Sequence, residues 1–464
     1  MVALWRTAGL VAGAGIALTV TPAAAQGARV PVPPEGIAAF NKGEYGKAAD
    51  LFVPAFDNCR SANPQGAACA DIALAIAVLV ATAGNAKTEP MILSAQAYID
   101  TNVGRDSTDA LAMLGAVTSY YDRLANLEKY LPVAERRLAL ARKLQGPTGR
   151  TAVIAAIGLC VVQWNLGQGQ AAIDLLNPLV GKLPDTTPAD LQLSGRVHDC
   201  IGMAYFSLDR VREAEPAFRR ALALFERAEG ETSELAIDAM ASLANTLRKL
   251  DREDEARVIA ARIDRLAKPD AQVRSRIDWA KGPAADPVAA ARAALAAAEK
   301  QFGAQSPVTD MASADVGIAL IDAGRVAEAE PYLERIKAAA NNPANPASVR
   351  IKLLMGQITL TLKQDVRRFE RAIPAIEQLV ALAKSSGAGS DKILIDFQMY
   401  AGTSLLLNGQ APRAYPFLTD AGKLLLERLA SYRDFDAAAQ RETREYSPIF
   451  KFKVTTAWVL AQRR

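Results

Sequence analysis

The stretch that decides the fold is Asp209-Arg-Val-Arg-Glu-Ala-Glu-Pro-Ala-Phe-Arg-Arg-Ala221. Its Ala214 and Phe218 stand four residues apart, so they share one face of a helix. Its first residue, an Asp, favours the tight turn that ends a preceding helix. Just upstream, Ile201-Gly202-Met-Ala-Tyr205 predicts that preceding helix, and Gly202 lets its neighbour approach closely. The stretch therefore predicts two helices joined by a short turn and packed through small residues.

The same phrase recurs along the chain, each time with a turn residue five positions before a small Ala. The turn residues are Gly43, Gly167, Asp209, Asp251, Gly324 and Gly409. The repeating alanines after Ala48 are Ala134, Ala172, Ala214, Ala256, Ala329, Ala372 and Ala414. Their steps are 38, 42, 42, 73, 43 and 42 residues, and the longest step contains one degenerate unit. We expect about ten stacked helix pairs, because such units cannot bury their apolar faces alone.

These residues resemble the tetratricopeptide repeat family over roughly residues 35 to 430. The turn Gly, the Ala after it, the Phe or Leu four residues later and the Gly of the first helix match the family's pattern. The long period is similar to that of kinesin light chains. Two segments of this sequence, Ala298–Pro307 and Leu224–Gly230, resemble the linkers of that variety. The resemblance implies an all-α, right-handed α-α superhelix. It says little about function, because the matching residues are structural.

Irregular segments divide the predicted array. Lys268–Pro287 predicts a break between an N-terminal array, 35–267, and a C-terminal array, 288–433. Four prolines lie two residues after repeat alanines, so the second helices should begin near those alanines or bend there. The prolines are Pro216, Pro331, Pro374 and Pro416. Residues 434–464 should cap the array with a helix over Phe450–Leu460, although the alternation Phe450-Lys-Phe-Lys-Val454 leaves a short strand open.

The first 25 residues differ from the rest. Arg6 precedes an uncharged apolar run, Ala8–Val20, and the small residues Ala23-Ala24-Ala25 follow a Pro. This pattern predicts a signal peptide cleaved after Ala25, with 26–34 as a linker; an uncleaved anchor is the alternative. The Ala-rich signal suggests bacterial export, so we expect a periplasmic or secreted protein with no transmembrane span after cleavage.

The four cysteines fit an oxidising compartment. Cys59 and Cys69 flank a turn-rich loop, so a local disulfide between them is geometrically easy. Cys160 and Cys200 fall in the first helices of neighbouring repeats, where they could form a bridge or remain buried thiols.

The sequence favours binding over catalysis. His198 is the only histidine, and no metal-ligand spacing or phosphate-binding loop accompanies it, so we expect neither cofactor nor metal site. His198 and Cys200 could be named base and nucleophile, but a helix-face His beside a core thiol is the better interpretation. A charge of +4, from 54 basic and 50 acidic residues, gives no basic footprint for nucleic acid.

The concave face of the array is the predicted binding groove for a protein or peptide. On the family register, the exposed first-helix positions are Trp164, Asn165, Asp199, Met203, Phe206, Asn245, Arg248 and Lys249. The alternative for Trp164 and Phe206 is packing between repeats. Family members that clamp a C-terminal carboxylate use Lys and Asn at set places. Asn245 fits one such place, but Ala241 stands where the Lys should be.

Three functions are compatible with this reading. The first is a non-catalytic scaffold or adaptor of the bacterial envelope that holds a protein or peptide. The second is a regulatory subunit of a separate enzyme, because bacterial kinesin-light-chain-like arrays are often joined to a caspase-like CHAT domain. The third is an envelope assembly factor that self-associates through its ends.

Overall fold

The computed structural model describes residues 29–83, 88–124, 126–266, 286–364, 370–386, 391–430 and 437–462. The predicted signal peptide and most of the predicted break at 268–287 lie outside these residues. Within them the regular structure is helical throughout. No helix among them is both long and apolar enough to span a membrane.

Helices follow one another through short turns. The first eight are α1 (Pro34–Asn41), α2 (Tyr45–Ala62), α3 (Ala70–Ala83), α4 (Glu89–Tyr98), α5 (Thr108–Arg123), α6 (Leu127–Gln145), α7 (Arg150–Asn165) and α8 (Gly169–Leu176). The next are α9 (Pro188–Ser207), α10 (Val211–Glu229), α11 (Glu234–Lys249), α12 (Glu253–Leu266) and α13 (Pro287–Phe302). The last are α14 (Pro307–Asp322), α15 (Val326–Asn341), α16 (Ala347–Gln364), α17 (Ile373–Ser386), α18 (Asp391–Leu407), α19 (Ala411–Ala430), α20 (Ala437–Glu445) and α21 (Ser447–Gln462). A π-helical stretch, Ile99–Gly104, continues α4, and a 3₁₀ turn, Asn177–Leu179, follows α8.

The chain divides into two compact units. The N-terminal unit contains Met1–Val162 and Leu175–Pro184, and the C-terminal unit contains Gln163–Asp174 and Asp185–Arg464. Successive helices within each unit pack on one another, as α5 packs on α6 and α10 packs on α9 and α11. Each unit is thus an all-α array of stacked helix–turn–helix pairs.

The turn residues of the repeat adopt the left-handed backbone that the sequence predicted. Gly43, Gly167, Gly324 and Gly409 have φ between 73° and 82°, and Asp209 and Asp251 have φ of 61° and 59°. An Asp tolerates this region better than most residues, because its short polar side chain can hydrogen-bond locally. Each first helix therefore ends two residues before its predicted turn residue.

The small and large residues of the repeat pack as pairs across the two helices. A Cβ added at Gly202 would lie 2.7 Å from Cε1 of Phe218, and one added at Gly402 would lie 2.6 Å from Cγ of Leu418. Ala214, between Gly202 and Phe218 in the chain, is fully buried. Helix α10 begins at Val211, three residues before that alanine, so Pro216 lies in its second turn. The second helices thus begin near the repeat alanine, as expected.

The C-terminal segment is helical, so the alternative of a short strand at Phe450–Val454 is wrong. Helix α21 covers α19 and α18 with Ile449, which is fully buried beside Ile395 and Leu425. Tyr446 is also fully buried, and its hydroxyl donates to Asp396 Oδ1 at 2.7 Å.

A disulfide in the N-terminal unit and a buried ion pair in the C-terminal unit each connect the ends of helices. Cys59 at the end of α2 forms a disulfide with Cys69 just before α3. The structure has no free cysteine, so a free thiol at Cys160 or Cys200 is wrong. In the C-terminal unit, the buried Arg428 pairs with Glu442, and its Nη2 donates to the backbone oxygen of Leu208 at 2.8 Å.

Candidate interaction surface

Three of the predicted groove residues occupy one register position in successive repeats. Trp164, Phe206 and Arg248 each stand three residues before a turn residue with positive φ, on α7, α9 and α11. The position thus carries two aromatic side chains and then a cation. All eight predicted residues belong to the C-terminal unit.

The predicted residues differ in exposure. Trp164 is 7% exposed, Asp199 is 7% exposed and Met203 is 3% exposed, so these three are buried. Asn165, Phe206, Asn245 and Arg248 are half-buried, and Lys249 is exposed. For Trp164 the alternative of packing inside the repeats describes the structure, whereas Phe206 keeps part of its ring at the surface.

Phe206 and Lys249 are brought into direct contact. The Lys249 ammonium lies 4.6 Å from the centroid of the Phe206 ring and 2.6 Å from Oδ1 of Asp209. A cation over an aromatic face is attracted by the ring's negative centre. Because Asp209 is the turn residue after α9, this contact ties the α11 end to the α9–α10 turn. The Lys249 charge is thus already balanced.

Arg248 and Trp164 present donors that the protein does not use. Nε of Arg248 lies 3.4 Å from Oε2 of Glu253, but Nη1 and Nη2 have no hydrogen-bond partner in the described structure. Nε1 of Trp164 also has no partner there. All three nitrogens are screened from solvent, and a buried donor without an acceptor costs about 1–3 kcal/mol. Such groups suit a ligand that offers acceptors.

Asn245 is unsuited to a carboxylate-clamp role in this state. Its Nδ2 donates to the Ala241 backbone oxygen at 2.8 Å, within its own helix. An amide bound to its own helix is a poorer donor to a ligand, because its hydrogen bond must first be broken.

One neighbouring pair was missed from the sequence. Arg210 lies with its guanidinium carbon 4.7 Å from the Tyr205 ring centroid, and its Nη1 donates to Gln170 Oε1 at 3.1 Å. Its Nε pairs with Glu213 at 2.8 Å. The signal in the sequence was an Arg directly after each Asp turn residue, at Arg210 and Arg252. This recurrence at the repeat spacing could have predicted an ion-pair position.

The structure offers no base and nucleophile at His198 and Cys200. Cys200 is disulfide-bonded, so it has no thiol to ionise. Burial lowers the pKa of His198, and the nearby Arg220 lowers it further. Among the described residues no cluster of three or more His, Cys, Asp or Glu could hold a metal ion.

The N-terminal unit contains a buried carboxyl group, that of Asp122, outside the predicted groove residues. Asp122 on α5 stands twelve residues before Ala134, the place that Gly202 takes before Ala214. The side chain is only 8% exposed, and burial raises its pKa to about 7 although Arg123 opposes the rise. Burial likewise lowers the pKa of Arg137 on α6, whose Nη1 donates to Thr118 Oγ1 at 3.2 Å.

Comparisons with known proteins identify the repeat in the C-terminal unit. Residues 194–262, from within α9 to within α12, match the family model described as tetratricopeptide repeat. No curated protein matches the sequence. A solved structure described as "Structure of Naa15/Naa10 bound to HypK-THB" is similar at 15% identity over 84% of this chain and 62% of that chain, with a TM-score of 0.20. This chain thus spans less than two thirds of that one, and a TM-score so low does not bear on function. Tetratricopeptide repeats generally serve as protein-interaction scaffolds.

Proposed function

We propose that this chain is a non-catalytic scaffold or adaptor that holds a protein or peptide segment on the first helices of its C-terminal unit. The observation that carries the proposal is the set of unpaired donors on Arg248 and Trp164. Trp164, the half-buried Phe206 and Arg248 occupy one register position in three successive repeats. An apolar ring together with N–H donors suits a polypeptide, which offers both apolar side chains and carbonyl oxygens.

Arg248 is the residue that such a segment would engage first. Its side chain is 18% exposed, so the guanidinium lies just below the surface. A change of side-chain rotamer would bring Nη1 and Nη2 to a partner's acceptor. The neighbouring Lys249 is already bound to Asp209, whereas Arg248 pairs with Glu253 through Nε alone and keeps Nη1 and Nη2 for a partner.

Capture from an extract of the source cells, followed by mass spectrometry, tests the proposal. We expect a defined partner that wild type retains and that Arg248→Gln and Phe206→Ser each weaken by about tenfold, the cost of one good contact. The control is Arg257→Gln, an exposed arginine on the second helix α12, which should retain the partner. Equal capture by all four proteins would overturn this surface. Recovery of a protease or hydrolase as the partner would instead support a regulatory subunit of a separate enzyme.

We further propose that the protein acts in the cell envelope. The support is the apolar run Ala8–Val20 followed by Ala23-Ala24-Ala25, together with a disulfide between Cys59 and Cys69. Disulfides persist mainly in oxidising compartments. N-terminal sequencing of the protein from periplasmic extract should begin at Gln26. An intact Met1 in the soluble cytoplasmic fraction would contradict this location.

A further inference from the structure

Helix α21 carries an outward face that is apolar and cationic. Phe450, Val454 and Trp458 stand four residues apart, so they form one stripe along the helix. Val454 is 70% exposed and Trp458 is 60% exposed. Ile449 and Thr456, on the opposite side, are fully buried. The helix is thus held to the protein by one face and presents large apolar side chains to solvent on the other.

Charge on α21 is of one sign. The helix contains Lys451 and Lys453 and no acidic residue. Lys451 is exposed beside the stripe, and neither lysine forms an ion pair within the described part of the chain.

The apolar stripe continues onto the neighbouring helix. A Cβ added at Gly422 on α19 would lie 3.6 Å from Cε1 of Phe450, so the Phe450 ring covers this part of α19. Leu426, one turn further along α19, is 58% exposed. The apolar surface is therefore broader than a single helix face.

We propose that this face of α21 binds an anionic lipid membrane surface. Trp and Phe beside Lys are the side chains that helices place at the headgroup boundary, where rings meet acyl chains and cations meet lipid phosphates. A second copy fits less well, because two paired α21 helices would bring their lysines together and α21 itself has no acidic residue to balance them. A lipid surface also needs no preformed groove for these exposed side chains, whereas a protein partner must supply one.

Sedimentation with lipid vesicles tests the inference on the full chain without its signal peptide. The probes are vesicles of phosphatidylcholine alone and of phosphatidylcholine mixed with phosphatidylglycerol. We expect binding to the mixed vesicles, weakened about tenfold or more by Val454→Ser with Trp458→Ser, by Lys451→Glu and by high salt. The control is Leu407→Ser, which removes an equally exposed apolar side chain, 76% exposed, on α18.

Fluorescence supplies an independent readout. Mixed vesicles should shift tryptophan emission to the blue in wild type, and Trp458→Phe should abolish the shift while sedimentation persists. Wild type that stays with neither kind of vesicle, or binding that the α21 variants leave unchanged, would overturn the proposal. So would a dimer, seen by light scattering, that Val454→Ser with Trp458→Ser dissolves, because the stripe would then belong to a second copy.

Discussion

Replacing Asp122 by Asn should remove a pH dependence from the stability of the N-terminal unit. The folded unit holds the Asp122 proton up to about pH 7, because burial raises the pKa from 3.8 to about 7. In the unfolded chain the same carboxyl ionises near its ordinary pKa. The folded state therefore gains from this residue at low pH and loses that gain as the pH rises from about 4 to 7.

The size of the effect follows from the shift. A difference of about three units corresponds to about 4 kcal/mol, at 1.36 kcal/mol per unit. Asn has nearly the same shape and does not titrate. The stability of wild type minus that of Asp122→Asn should therefore fall by up to about 4 kcal/mol between pH 4 and pH 8.

This difference in stability can be measured in the intact chain by urea unfolding. Hydrogen exchange of peptides from α5 and α6 reports the unfolding of the region around Asp122. Asp50→Asn is the control, because Asp50 is an exposed aspartate on α2 of the same unit. We expect its difference from wild type to stay nearly constant with pH. A difference for Asp122→Asn that changes by less than about 1 kcal/mol across this range would refute the reasoning, since a carboxyl whose pKa is raised by burial must show the linkage.

Three other substitutions test the repeat itself. Gly202→Ala should destabilise the C-terminal unit by about 1–3 kcal/mol in thermal unfolding, because its Cβ would lie 2.7 Å from the Phe218 ring; an unchanged midpoint would show that the ring moves freely. Replacing Cys59 and Cys69 together by Ser should cost about 2–3 kcal/mol in urea unfolding under non-reducing conditions, and no loss would mean that α2 and α3 are already fixed by packing. Asp251→Val should cost about 1–2 kcal/mol more than Asp251→Gly, because φ is 59° there; equal midpoints would contradict the left-handed turn.

The repeat was predictable because its signals are local. The turn residue, the repeat alanine and the large apolar residue lie within ten positions, so one helix period relates them, as at Asp209, Ala214 and Phe218. Asp209 and Asp251 have the positive φ that this reading required. The helix at α21 lies beyond the repeat signal and was predicted as a separate cap, and the strand alternative there failed.

The exposure of the predicted groove residues could not be predicted in the same way. Trp164 and Phe206 share a register position, yet the first is 7% exposed and the second is half-buried. Register fixes the direction of a side chain from its helix, whereas burial depends on which side chains of other helices meet it. The side chains that neighbouring helices contribute do not recur with the period of the repeat. Asn245 likewise is half-buried at its register position, but its amide is bound to its own helix.

The contact of Arg428 with Leu208 lies beyond any periodic signal, because 220 residues separate the two. Leu208 follows α9, where the last backbone carbonyls lack partners within the helix. A guanidinium suits that end of a helix, both as a donor and as a positive charge. Glu442 on α20 holds the guanidinium from the other side. Leu208 is followed by the turn residue Asp209. The Asp209 carboxylate accepts a hydrogen bond from Lys249, whose ammonium lies over the Phe206 ring. Arg428 thus connects α19 and α20, near the end of the sequence, to the turn that positions the half-buried Phe206 ring of the candidate surface.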